Sequence, residues 1–287
     1  MLVLAAVASV QGGAAVAKDL FPDAGPGGAA FLRIGMSALL LLAVARPRVV
    51  SRHRADLALA LGFGLVLAAM NTTFYYALDR IPLGVAVTIE FVGPLAVAIR
   101  GSRKLLDLLW VALAATGVVL LTGGAGGHVD ALGVLLALVA GVLWAAYILL
   151  SQRVGRVFPG AGGLALAFAA GTIALAPVGV ISGGDRLIHG SVLWRGLVVA
   201  LLSSALPYSL ELYALRRLRA SVFGVLMSLE PAFAAASGLL FLGEHLRTVE
   251  WIAIACVVVA SVGATRRADD GDMPVDPAAT PPELVAR

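Results

Sequence analysis

The sequence Ser203–Pro231, SSALPYSLELYALRRLRASVFGVLMSLEP, decides how the rest of the chain is interpreted. It contains two apolar runs typical of membrane helices, yet one carries Glu211 and the other Glu230, with a basic turn between them. A charge near the centre of a membrane helix costs about 2.5–3.5 kcal/mol on insertion scales, so it normally faces a polar cavity or a partner. Glu90, in VTIEFVGP, repeats the situation in the first half of the chain. We expect the functional site to be located where these carboxylates converge.

The composition indicates a polytopic membrane protein. Of the 287 residues, 60% are hydrophobic and only 13% are charged, and the mean hydropathy is +0.97. Soluble domains have about 25% charged residues. The loops between the apolar runs are too short for a soluble catalytic domain. The basic residues lie at the ends of these runs and are not interleaved with aromatic residues, which indicates membrane topology and argues against nucleic-acid binding.

Ten apolar segments can be marked, each far longer than the 9–11 residues of a membrane β-strand, so the sequence predicts an all-α membrane protein. They are 2–17, 27–45, 56–78, 83–100, 106–122, 131–150, 160–181, 191–215, 220–242 and 249–265.

The loops alternate in charge. Most of their lysines and arginines fall in every second loop and after the last segment, as in 46–54, 100–104 and 216–219. Because cytoplasmic loops carry the excess of Lys and Arg, this pattern predicts that both termini face the cytoplasm.

The two halves of the chain repeat with an offset of 137 residues. The offset relates Tyr76-Ala77-Leu78 to Tyr213-Ala214-Leu215, and Pro94 to Pro231. Since each half holds five helices, the second copy must be inserted upside down, which is the architecture of many secondary transporters. We therefore predict a first repeat over 1–125 and an inverted second repeat over 128–265. The Pro- and Asp-rich segment 266–287 is predicted to be a disordered cytoplasmic tail.

Several polar and aromatic residues inside the predicted helices are candidates for a substrate site. They are Gln11, Lys18, Arg33, Asn71, Tyr75, Glu90, Trp144, Tyr147, Tyr208, Glu211 and Glu230. Some of them share a helix face, because residues three or four apart are neighbours on a helix.

These candidates also have structural interpretations. The glutamates could form ion pairs with Arg33 or Lys18, Lys18 could extend to the membrane surface, and the aromatic residues could pack in the core. Glu244, at an outer helix end, is interpreted as a solvated cap. Pro94 and Pro231 each remove a helix hydrogen bond, so we expect bends near Glu90 and Glu230. The histidines show no metal-ligand spacing, and no cofactor or metal is expected.

Three runs resemble a known family: PLGVAVTIEFVGPLAVA (82–98), ALPYSLELYALRRL (205–218) and FGVLMSLEPAFAAASGLLFLGE (223–244). They are similar to the EamA branch of the drug/metabolite transporter superfamily, and within it to the threonine/homoserine exporter subgroup of the bacterial inner membrane. The resemblance covers about residues 1–265. It implies ten helices in two inverted repeats that export amino acids using the proton gradient.

The resemblance and the charged residues together give a mechanistic hypothesis. The carboxylate of an amino acid would meet Arg33 or Lys18, and its ammonium group would meet a glutamate. Glu211 is the first candidate for the proton carrier, because it shares a helix face with Tyr208, and Glu230 is the second. A broad exporter of drugs or metabolites is an alternative within the class. A membrane-embedded scaffold or enzyme is an alternative outside it, although no nucleophile–base pair is evident.

Overall fold

The apolar runs fold into helices, because backbone groups in a lipid environment must form their hydrogen bonds within the segment. The protein is represented by a computed structural model that describes residues 1–46, 53–99, 105–123, 130–158, 161–207, 210 and 220–271. Every regular element in those ranges is helical, so the predicted all-α class is confirmed for the described part of the chain.

The helices are, in chain order, α1 Leu2–Asp19, α2 Phe21–Ala45, α3 Arg54–Leu78, α4 Leu83–Glu90, α5 Val92–Ala98, α6 Leu105–Gly123, α7 Ala131–Val157, α8 Gly162–Gly183, α9 Gly190–Ala200, α10 Ala220–Met227, α11 Glu230–Leu242 and α12 Thr248–Gly271. A 3₁₀ turn, Gly184–Ile188, precedes α9, and a π-helical turn, Leu201–Ala205, follows it.

Seven helical segments of the described chain are long and apolar enough to cross a membrane. Three shorter apolar helical segments, Leu83–Ala98, Leu109–Leu121 and Gly190–Ala205, occupy other predicted spans. The outer surface remains apolar, with Ile181 85% exposed and Leu240 75% exposed. Side chains of this kind are stable when they face lipid, so the surface matches the predicted membrane environment.

Two of the predicted spans are broken in the middle. The fourth divides at Phe91 into α4 and α5, and the ninth divides at Ser228 and Leu229 into α10 and α11. Proline cannot donate a backbone hydrogen bond, so Pro94 leaves the Glu90 carbonyl without its helical donor, and Pro231 does the same to the Met227 carbonyl. Both helices are therefore interrupted beside Glu90 and Glu230, where the sequence predicts bends.

Two other boundaries differ from the predictions. The second helix begins at Phe21, six residues earlier than expected, because the Gly25–Pro26 pair produces a kink within the helix and does not end it. Gly25 has φ +67°, a conformation that glycine adopts without strain. The last helix continues to Gly271, so the first residues of the predicted tail are helical. Residues 272–287 lie outside the described residues.

Glycines let α4 and α5, the two parts of the fourth span, pack closely against α7 and α11. A Cβ atom on Gly93 of α5 would lie 1.9 Å from the Gly141 carbonyl oxygen of α7, and one on Gly141 would lie 2.7 Å from the Glu90 carbonyl oxygen. On the other side of α4, a Cβ atom on Gly84 would lie 2.8 Å from Ala235 of α11. Small residues of this kind allow close packing of membrane helices, and here they fix the position of Glu90.

Replacing Gly141 by alanine should destabilise the protein by about 1–3 kcal/mol, because the added methyl group meets backbone atoms that can move only if α4 and α7 separate. The matched control is Gly62→Ala on α3, where a Cβ atom has nothing within 4 Å. Thermal unfolding in detergent measures both variants. Equal melting temperatures for Gly141→Ala and Gly62→Ala would contradict the close approach of α4 and α7.

Candidate functional site

A central cavity of about 200 Å³ lies among the helices, near the middle of the segments that form it. Its wall comes from α1, α2, α3, α4, α7, α10, α11 and the π-helical turn. The lining residues that carry a polar, charged or aromatic side chain are Gln11, Arg33, Asn71, Phe74, Glu90, Trp144, Tyr147, Ser203 and Glu230. The cavity therefore places one cation and two carboxylates inside an otherwise apolar bundle.

Arg33 is held in the cavity wall by Tyr75. The guanidinium Nη1 lies 3.4 Å from the Tyr75 hydroxyl, and its central carbon lies 5.7 Å from the centre of the Tyr75 ring. Tyr75 itself is fully buried and packs against Phe21 and Phe74. A cation over an aromatic ring is stabilised by the ring quadrupole. The fully buried tyrosine thus fixes the position of the guanidinium group at the cavity.

The two carboxylates come from the two helix breaks. Glu90 is the last residue of α4 and Glu230 the first of α11, and both are buried, with 7% and 5% of their surface exposed. Glu90 has no hydrogen-bond or ion-pair partner in the described chain, although it interacts electrostatically with Arg33. A buried carboxylate whose capacity to accept hydrogen bonds is unused is suited to a ligand that donates them.

The aromatic side chains of the wall pack against further aromatic rings. Trp144 makes an edge-to-face contact with Phe91, with the ring centres 5.5 Å apart. Tyr147, one turn further along α7, stacks on Phe63 at 5.0 Å. Such pairs stabilise beyond the area that they bury. The shared face of Trp144 and Tyr147, expected from their spacing, is therefore confirmed, and it lines the cavity.

Sequence and structure comparisons place the chain in a family. A sequence model of the EamA-like transporter family matches residues 131–266. The threonine/homoserine exporter RhtA of Escherichia coli (strain K12) is 44% identical over 270 residues, which cover 92% of this chain and 90% of the relative. The same figures hold for RhtA of Salmonella typhimurium (strain LT2). The chain belongs to the EamA-like transporter family.

Two further comparisons are more distant. A solved crystal structure, 19% identical, covers 95% of this chain and 98% of its own with a TM-score of 0.65, so it shares the fold. An uncharacterized transporter of Clostridium kluyveri is 27% identical over 154 residues, which is 51% of this chain and 49% of the relative. The EamA-like family is a transporter family and not an enzyme family. Membership of this family and the apolar helices of the chain show that it is a multi-pass protein of the bacterial inner membrane.

Seven of the predicted site residues of this EamA-like protein line the central cavity: Gln11, Arg33, Asn71, Glu90, Trp144, Tyr147 and Glu230. Tyr75 lies behind the wall and contacts Arg33. Tyr208 and Glu211 lie outside the described residues. The structure thus places residues from distant parts of the chain around one cavity, whereas the sequence identified them only as separate candidates.

Lys18 does not line the cavity. Its Nζ lies 2.7 Å from Glu244 Oε1 and donates to the Ile81 carbonyl at 3.0 Å, while Glu244 Oε2 accepts a hydrogen bond from the Leu83 N–H at 2.8 Å. The side chains are 22% and 14% exposed. Lys18 thus forms an ion pair, although its partner is Glu244 and not one of the glutamates considered from the sequence. The interpretation of Glu244 as a solvated cap does not hold, because only 14% of its side chain is exposed and its carboxylate contacts Lys18 and the Leu83 N–H.

Other ion pairs lie at the same end of the molecule. Arg195 contacts Asp19 at 3.7 Å and also pairs with Asp23. Arg80 pairs with Asp130, the N-cap of α7, at 2.8 Å. The hydrogen bond from Arg80, followed by those from backbone N–H groups of α7, holds the pKa of Asp130 below its ordinary value. This is the end that the charge pattern of the loops predicts to be periplasmic.

Some cavity residues were not predicted. Ser203, Met227 and Pro207 line it, yet a serine, a methionine or a proline in an apolar run is usually structural. The repeat offset of 137 residues contains a signal for two of them. It relates Pro207 to Met70 and Met227 to Glu90, and both members of each pair line the cavity. For Ser203 the sequence contains no such signal.

Glu244→Gln should destabilise this EamA-like protein by about 1–3 kcal/mol, because it leaves the partly buried Lys18 without its counter-ion. Asp130→Asn is the matched control, since it makes the same change in an ion pair whose side chains are 40% and 37% exposed and asparagine retains helix capping. Little change is expected there. Thermal unfolding in detergent measures both, and equal small effects would contradict a stabilising role for the Lys18–Glu244 pair.

Proposed function

We propose that this protein is a secondary active exporter of small amino acids of the threonine/homoserine class, driven by proton antiport. The observation that carries the proposal is the placement of Arg33, Glu90 and Glu230 around one small cavity at mid-helix depth. The chain is 44% identical to relatives named threonine/homoserine exporters, which supports the substrate class.

The charges of the cavity match those of an amino acid zwitterion. The planar guanidinium of Arg33 can receive a carboxylate through two parallel hydrogen bonds. Glu90 can accept hydrogen bonds from an ammonium group, and the faces of Trp144 and Tyr147 add favourable contact with a cation. The ligand would thereby place each of its charges beside an opposite charge of the cavity. Amino acid and protein would neutralise each other.

The size of the cavity favours an amino acid over a drug. Sites for drug-sized ligands measure about 300–1,000 Å³, whereas this cavity measures about 200 Å³. The broad drug or metabolite exporter therefore remains the weaker candidate. A membrane-embedded scaffold would not need Glu90, which is buried among helices without a partner in the described chain.

The proposed architecture is ten spans in two inverted five-helix repeats, with both termini in the cytoplasm. Three observations support it. The helix breaks at Phe91 and Ser228 are related by the repeat offset of 137 residues. The same offset relates Val10 to Tyr147, another pair that lines the cavity. The three shorter apolar helical segments add to the seven long ones in the places where spans were predicted.

We assign proton coupling to Glu211 and Glu230. Burial away from water disfavours the ionised form of a carboxylate, which allows proton binding and release to follow substrate release and binding. Glu230 lines the cavity. Glu211 lies outside the described residues, but the repeat offset relates it to Phe74 and relates Tyr208 to Asn71, and both of these partners line the cavity. This symmetry supports a place for Glu211 and Tyr208 at the same cavity.

Alternating access then requires the ion pairs at the predicted periplasmic end to open. The Lys18–Glu244 pair joins α1 of the first repeat to the end of α11 of the second. Arg195, in the middle of α9, joins the second repeat to Asp19 and Asp23 of the first. Rocking of one repeat against the other would separate these pairs and release the amino acid outward.

Uptake of radiolabelled threonine and homoserine into inside-out membrane vesicles tests this function. We expect uptake to accelerate when the vesicle lumen is acidic, since the lumen corresponds to the periplasm. Glu211→Gln and Glu230→Gln should insert normally but lose this acceleration, because an amide cannot carry the proton. Glu250→Gln, outside the cavity, is the control. Normal rate and pH dependence in Glu211→Gln would show that Glu211 is not the proton carrier.

Arg33→Lys should raise the KM for threonine by roughly tenfold or more, because lysine keeps the charge but loses the two-pronged geometry and the stacking on Tyr75. The control is Tyr75→Phe, which keeps the ring beneath the guanidinium and removes only the hydroxyl. The KM for threonine of each variant is measured from the concentration dependence of vesicle uptake. An unchanged KM in Arg33→Lys would exclude Arg33 as the carboxylate ligand.

A further inference from the structure

Two buried polar groups at the central cavity have no hydrogen-bond partner within the described protein. They are Oε1 of Gln11 and Oγ of Ser203. The residues are 3% and 5% exposed, and both line the cavity. Buried polar side chains in proteins are almost always hydrogen-bonded. The two oxygens are enclosed by neighbouring protein atoms, but both residues line the cavity, so a bound molecule that reorients either side chain can supply the missing partner.

The neighbouring polar groups are satisfied by the protein. Ser37 Oγ donates to Ser204 Oγ at 2.9 Å, Ser9 Oγ donates to the Leu202 carbonyl at 2.7 Å, and Asn71 Nδ2 donates to the Leu67 carbonyl at 2.9 Å. The contrast is sharpest between Ser203 and Ser204, which are adjacent on the same π-helical turn. Of the three buried side-chain atoms without a partner in the described chain, two thus belong to residues of this cavity, and the third, Nε1 of Trp110, belongs to a residue of α6 that does not line it.

The local backbone holds Ser203 in place. The π-helical turn Leu201–Ala205 packs against α1, and Ser203 Oγ lies against the Cα atom of Gly13. A Cβ atom at Gly13 would be only 2.3 Å from that oxygen. Gly13 therefore admits the hydroxyl group to the interface between α1 and the turn. π-helical turns often occur at functional sites, and here the turn brings Ser203 to the cavity wall.

We propose that Gln11 and Ser203 bind the side-chain hydroxyl group of the transported amino acid, and that they select hydroxylated amino acids over aliphatic ones of the same carbon skeleton. This rests on the proposed function, in which Arg33 and the glutamates already bind the carboxylate and ammonium groups. The remaining polar group of threonine or homoserine is its hydroxyl.

A hydroxyl group suits these two residues chemically. It donates one hydrogen bond and accepts others, so it can satisfy either end of the Gln11 amide and can either donate to Ser203 or accept from it. A methyl group at the same position would leave the buried polar atoms unpaired. Sites built to hydrogen-bond a hydroxyl reject analogues that lack it for this reason.

Competition measurements on the full-length protein in vesicles test the proposal. Unlabelled homoserine and unlabelled 2-aminobutyrate, which has the same carbon skeleton without the hydroxyl, compete with radiolabelled homoserine. The variants are Gln11→Met, which keeps the side-chain length, and Ser203→Ala. Ser204→Ala is the matched control, because it removes a hydroxyl from the same turn that is already paired with Ser37. The amount of each variant in the membrane is measured in parallel.

The wild type and Ser204→Ala should bind homoserine more tightly than 2-aminobutyrate. In Gln11→Met and Ser203→Ala the preference should fall roughly tenfold, through weaker homoserine binding with 2-aminobutyrate binding unchanged. An unchanged preference in both variants, or equal weakening of both ligands, would overturn the assignment while leaving the proposed function intact. Absence of homoserine uptake by the wild type would overturn the proposed function and this inference with it.

Discussion

A charged side chain inside a membrane must be solvated by the protein or by what the protein binds, and the rest of this structure depends on that constraint. Arg33 is supported by the buried ring and hydroxyl of Tyr75. Glu90 is buried near Arg33, with no direct ion pair to it among the described atoms. A structural ion pair would bring opposite charges into contact. Charges held close but apart leave room for a ligand that carries both.

The helix breaks explain how the carboxylates reach the cavity. Pro94 and Pro231 each remove a hydrogen bond one turn earlier, which interrupts the helix beside Glu90 and just before Glu230. Gly93 and Gly141 then let the broken segment lie against α7 at backbone contact. The two helix breaks are related by the repeat offset. A proline-induced break in each half of the chain would therefore place acidic groups from both halves near the same point.

The sequence was sufficient for the fold class and for most of the polar, charged and aromatic residues of the cavity, because intramembrane polar residues are rare and therefore informative. Arg33, Glu90 and Glu230 stand out in apolar runs for this reason.

Lys18 was harder to interpret. Its partner Glu244 is distant in the chain, and nothing local indicates that the end of α11 meets the end of α1. Ser203 carried no signal because serines are common in membrane helices, and only its missing hydrogen-bond partner distinguishes it from the adjacent Ser204. Likewise, Gly25–Pro26 resembles a helix boundary in the sequence, because glycine and proline commonly end helices, whereas here the pair only kinks the helix.

Equilibrium binding to the purified protein tests most directly the claim that the cavity recognises both charges of an amino acid at once. Threonine, its methyl ester and N-acetylthreonine differ in whether the carboxylate and the ammonium group are present. We expect threonine to bind and each derivative to bind at least tenfold more weakly, because each derivative loses a charged group that would contact Arg33 or Glu90. Binding of either derivative as tightly as threonine would contradict it.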